Sequence, residues 1–76
     1  MTKLIHQLDI RGAIAPITLL KVTQAFREIK PGETLEILGN DSDTKGDIFQ
    51  VLKAFHYQVT GIEEKKKFYR IRLKKE

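Results

Sequence analysis

Along this chain the spacing of apolar side chains switches repeatedly between a period of two and a period near 3.6, and the order of the switches constrains the fold more than any other feature. Leu4, His6 and Leu8 alternate with Ile5, Gln7 and Asp9, the pattern of a short strand, which Arg11-Gly12 breaks. From Pro16 onward Leu19, Val22, Phe26 and Ile29 fall on one helical stripe, with Leu20 and Thr23 at its margin. Pro16 suits the first helical turn, where its missing N–H would have had no intrahelical partner, and Lys30-Pro31-Gly32 stops the helix. Thr34 to Leu38 reads as a second strand, ended by Gly39. The polar run Asn40 to Thr44 then offers N-caps and negative charge to a second helix, whose Ile48, Val51, Leu52 and Phe55 occupy i, i+3, i+4 and i+7. Lys53 and His56 are expected near its C-terminus, where positive charge is favoured. Tyr57 to Ile62 forms a third strand with Gly61 marking a bulge, and Glu63 to Lys67 a charged turn. In the last strand Tyr69, Ile71 and Leu73 point one way while Phe68, Arg70, Arg72 and Lys74 point the other.

The order is therefore βαβαββ. Each helix has a single apolar stripe to bury, so both are expected on one face of a four-stranded sheet, an α+β two-layer sandwich. A strand–helix–strand unit joins parallel strands and a hairpin joins antiparallel ones, so the sheet is predicted to be mixed. With 76 residues and 41% hydrophobic content there is core enough for one small domain, residues 1–76.

Composition excludes more than it selects. The chain has no cysteine, which removes disulfides, thiolate metal sites and any cysteine nucleophile. No apolar run approaches the ~20 residues of a membrane span and no signal-peptide pattern opens the chain, so a soluble, cytoplasmic protein is expected. The formal charge of +4 is unevenly spread: residues 1–64 carry seven Lys and Arg against nine Asp and Glu, while residues 65–76 carry seven against Glu76 alone. An asymmetry of this kind marks either a solvated tail or contact with an anionic partner.

Where the first strand feeds the first helix, Ala15 occupies a place that would depress the pKa of a thiol and that ordinarily favours a capping side chain; a methyl group does neither. The stretch Leu8-Asp9-Ile10-Arg11-Gly12-Ala13-Ile14-Ala15-Pro16-Ile17-Thr18 resembles the signature D-x-R-G-x-x-C-P-x-P of the TusA/SirA-like sulfur-carrier family. Asp9, Arg11, Gly12 and Pro16 match in register, Ala15 stands where the family has cysteine, and Thr18 where the second proline often is. Lys30-Pro31-Gly32-Glu33 resembles the family's loop before its second strand, and Asp41 with Asp47-Ile48 the start of its second helix, with Ser42 in place of a proline. The resemblance spans nearly the whole chain and implies the same βαβαββ sandwich. It also implies a persulfide carrier that receives sulfur from a cysteine desulfurase and passes it on, in the best-known case toward thiolation of a tRNA wobble uridine. Asp9, Arg11, Gly12 and Pro16 inherit the scaffold of that site; Ala15 inherits the carrier position without its reactivity. As written the chain cannot hold a persulfide, whether Ala15 is an engineered replacement or a natural loss. The partners implied are sulfur-relay proteins, and no cofactor is implied.

Other residues carry weaker signals. His6 and His56 stand fifty positions apart with no third ligand, so no metal site is expected. Asp41, Asp43 and Asp47 lack the spacing and terminal Glu of a calcium loop and read as capping residues. Arg70, Arg72 and Lys74, headed by Phe68 and flanked by Lys65, Lys66 and Lys67, form a basic row for the open side of the sheet. That row suits RNA, through phosphate contacts and base stacking, or an acidic protein; with RNA as partner the chain would be a small basic nucleic-acid-binding α/β domain.

Overall fold

A computed structural model describes residues 5–14 and 16–76, with Ser42 described only in its backbone. Two parts of the sequence reading, Leu4 in the first strand and Ala15 at the carrier position, lie outside these residues. The elements are β1 (Ile5–Asp9), α1 (Ile17–Glu28), β2 (Thr34–Gly39), α2 (Ser42–Val51), β3 (Tyr57–Glu64) and β4 (Tyr69–Lys75). The sheet order is β1-β2-β4-β3, with β1 parallel to β2 and the other pairs antiparallel, as the element order requires. No helix among the described residues is long and apolar enough to cross a membrane.

One sheet face takes both helices. Leu35, Ile37, Tyr69, Ile71 and Leu73 present the apolar parity of β2 and β4 to Val22 and Phe26 of α1, to Ile48 of α2 and to Leu52 just beyond it, and all are buried. Ile10 continues the inward parity of His6 and Leu8 and joins this core. Phe26 is its centre, met edge-on by Phe55 at 5.2 Å and Tyr57 at 5.8 Å between ring centroids.

Three local expectations are corrected. The second helix ends at Val51 with Leu52 as its C-cap, so Phe55 and His56 lie beyond it. The reason is a tightening of the backbone: the Lys53 N–H reaches back only to the Gln50 carbonyl and the Phe55 N–H only to that of Leu52, which turns Phe55 onto Phe26. The third strand runs on through Glu63 and Glu64, because Glu63 pairs in register with Arg70 and Glu64 with Tyr69. Pro16 is the N-cap of α1 and not its first helical residue, and no side-chain cap supports it. The bulge expected at Gly61 is present: register shifts between Val59 and Gly61, and the extra residue, Thr60, donates its hydroxyl to the Arg72 carbonyl at 3.2 Å.

Candidate functional site

The corner between β1 and α1 is built by Asp9, Arg11 and Gly12. The Asp9 carboxylate accepts from the Arg11 backbone N–H at 3.0 Å, from its Nε at 3.0 Å and from its Nη2 at 2.7 Å, a forked charge-assisted pair closed over two residues. These hydrogen bonds, more than the charge alone, hold the Asp9 pKa down at about 2, so the group stays ionised and does no acid–base work near neutral pH. Between them the chain reverses: the Ala13 N–H bonds the Ile10 carbonyl at 3.2 Å, and Gly12 sits third in that turn at φ +80°. A type II turn demands positive φ at this position, which is the physical reason for Arg-Gly here. The Gly12 N–H points to the Asn40 side-chain oxygen at 3.5 Å, tying the corner to the loop after β2.

Past the turn the corner is open. Ile14, Ile17 and Leu20 are 75%, 54% and 59% exposed, and Pro16 is exposed beside them. An apolar groove of about 530 Å³ runs from Pro16 and Ile17 along α1 to Val51. The start of α1 carries no acidic residue in its first turn, so its positive end is not neutralised from within the helix. Beneath the corner, Thr18 and Tyr69 are buried (1% and 5% exposed), and their hydroxyls have no hydrogen-bond partner among the described residues. The Tyr69 ring lies directly against the Cα of Gly39, where a Cβ would come within 2.4 Å of it.

Chemically the corner is a scaffold without a reactive atom. The chain has no thiol, and the one hydroxyl in the first turn of α1, Thr18, is buried. His6 lies 3.3 Å from the Glu33 carboxylate and His56 is in the loop before β3, so the two do not meet. Asp41 caps α2 by accepting from the Asp43 N–H at 3.0 Å.

Arg70, Arg72 and Lys74 do share the open face of the sheet, but the row is not bare. Glu36, 6% exposed in the middle of β2, accepts from Arg72 Nε at 2.7 Å and from Gln7 Nε2 at 2.8 Å, and Arg70 Nε lies 3.8 Å from it. Hydrogen bonds from Gln7 and Arg72 lower the Glu36 pKa despite its burial. Arg70 also meets Glu63 at 3.3 Å. Phe68 is half-buried, with the guanidiniums of Arg11 and Arg70 at 5.9 and 6.0 Å from its ring centroid. Lys65, Lys66 and Lys67 gather at the hairpin end, where with Asn40, Lys45, Glu64 and Phe68 they line a hollow of about 280 Å³; Lys74 lies toward the opposite end of β4. Glu36 and Lys45 escape sequence reasoning. A glutamate inside a strand of otherwise apolar residues hinted at the first, whereas nothing local marked the second.

Comparison with known proteins gives the family and the fold. The family model described as sulfurtransferase TusA matches residues 6–75. A provisionally named sulfur carrier protein of Methanocaldococcus jannaschii is 33% identical over 69 residues, covering 91% of this chain and 92% of its own length. The sulfur carrier protein TusA of Buchnera aphidicola is 34% identical over 68 residues, covering 90% and 86%. The crystal structure of a SirA-like protein from Desulfitobacterium hafniense superposes with a TM-score of 0.74 at 15% identity, covering 92% of this chain and 95% of that one, and shares the fold. Through the family match across nearly its whole length and the two relatives above 30% identity, the chain belongs to the TusA/SirA-like sulfur-carrier family.

Proposed function

We propose that this protein is a cysteine-free sulfur-carrier-family domain that binds the protein partners of sulfur transfer without itself carrying sulfur. The observation that carries the reading is the exposed apolar step of Ile14, Ile17 and Leu20 set directly against the ordered Asp9–Arg11–Gly12 corner. Apolar side chains exposed together at a family site are the signature of a surface that another protein covers. Ala15 supplies a methyl group where the family presents its thiol, so the docking surface is retained and the chemistry is lost. The partners would be a cysteine desulfurase or the acceptor that follows it, in the cytoplasm, and tRNA thiolation is the family route such a protein would modulate.

Two measurements test this. Immobilised protein should capture a desulfurase or a sulfur-relay acceptor, and Leu20→Asp, on the exposed side of α1, should lose that capture without loss of fold. Ala15→Cys should then accept sulfur from the desulfurase persulfide, adding 32 Da by mass spectrometry. Absence of capture together with failure of the restored thiol to load would refute the reading.

A further inference from the structure

The hollow at the end of the β3–β4 hairpin is not used by the reading above. Lys65, Lys66, Lys67 and Lys45 line it against a single carboxylate, Glu64. Lys45 is ion-paired with Glu64, and Lys65 lies 3.7 Å from Glu63. Lys66 and Lys67 make no ion pair among the described residues and are exposed. The hollow's lining therefore includes two consecutive lysines without an ion-pair partner among the described residues.

Turn chemistry does not explain them. The Lys65 N–H closes the hairpin on the Phe68 carbonyl at 2.8 Å, leaving Lys66 and Lys67 at its tip. No described residue other than glycine takes a positive φ, so this tip accepts any side chain and its geometry does not call for lysine, while adjacent like charges repel. A bound anion would supply the compensation that the lining, with its one carboxylate, does not. Recognition here rests on charge and not on base stacking, because the Phe68 ring already carries two guanidiniums, each engaged with a carboxylate. The Asn40 side chain, which links the hollow to the Gly12 turn, adds a polar group to the wall.

We propose that this hollow is a binding site for a phosphate group, with Lys66 and Lys67 as its principal cations. The phosphate could come from a small molecule or from the backbone of a single-stranded RNA, and the experiment separates these sources. ¹⁵N-labelled protein is titrated with inorganic phosphate, with uridine monophosphate, with an oligouridylate and with polyglutamate. Shifts at the amides of Asn40 and Lys65 to Phe68 with the first two probes identify a small-molecule site; shifts there with the oligouridylate alone identify an RNA backbone site. For the oligouridylate, two phosphates neutralised give a slope of about −1.4 in log K against log salt, a sevenfold loss from 50 to 200 mM. Lys66→Gln with Lys67→Gln should remove the shifts and flatten the slope, while Lys21→Gln with Lys53→Gln changes neither. The exposed tip leaves the fold intact, read from an unchanged thermal midpoint. No shift with any phosphate probe, shifts centred on Arg72 and Lys74 instead, or equal binding of polyglutamate would overturn the proposal.

Discussion

Gly39→Ala tests how tightly the floor beneath the corner is built. The backbone at Gly39 is ordinary strand, so the added methyl meets no conformational penalty; it meets Tyr69. An ideal Cβ would lie 2.4 Å from the ring's Cζ and hydroxyl and 2.9 Å from Cε1. Ordinary contact requires the ring to withdraw by about 1 Å, and a buried ring in a close-packed core cannot do so without displacing its neighbours. Overpacking of this kind costs about 2–3 kcal/mol. For a chain of this size that lowers the thermal midpoint by roughly 10–20 °C. Urea unfolding followed by circular dichroism should show the loss as a lower midpoint at unchanged slope. In a Tyr69→Leu background the distal ring atoms are gone, and the same alanine should cost no more than about 0.5 kcal/mol, a coupling of about 2 kcal/mol between the two sites. A neutral Gly39→Ala, or an equal cost in both backgrounds, would refute the reasoning.

The same substitution should have the opposite sign elsewhere. Gly46 lies exposed inside α2 with nothing near its would-be Cβ, so Gly46→Ala should raise stability by up to about 1 kcal/mol in the same unfolding assay. Lys75 Nζ donates to the carbonyls of Phe26 (3.1 Å), Arg27 (3.3 Å) and Ile29 (2.9 Å) at the end of α1, so Lys75→Met should cost about 1–2 kcal/mol and speed hydrogen exchange in the last turn of that helix. Asp9, Glu33 and Glu36 all have folded pKa values below their ordinary ones, so the unfolded chain binds more protons at low pH. Their contribution is complete above the ordinary carboxylate range and fades as pH falls through it, for Asp9 toward about 2; urea midpoints at pH 7, 4 and 2.5 should decline, and Asp9→Asn should shallow the decline between pH 4 and 2.5.

Much of this architecture was legible because it rests on short-range rules. Alternation in Tyr69, Ile71 and Leu73 against Arg70, Arg72 and Lys74 assigned the two faces of β4 from sequence, since successive side chains on a strand must point oppositely. Arg11-Gly12 and Pro31-Gly32 announced turns because only glycine easily adopts the positive φ they require, +80° and +91°. The end of α2 is not legible in the sequence, because Phe55 fits a helical stripe as well as it fits the turn that presses it onto Phe26, and the difference lies in a residue 29 positions away.

The sequence by itself determined the order of elements, the parity of each strand, the turn at the corner and the absence of a thiol, all consequences of local sterics and of which atoms are present. Only the tertiary structure decided that Arg72 is held by Glu36 and Arg70 by Glu63, while Lys66 and Lys67 make no ion pair among the described residues. Charge compensation depends on distance in space, and the sheet that brings β2 between β1 and β4 sets those distances.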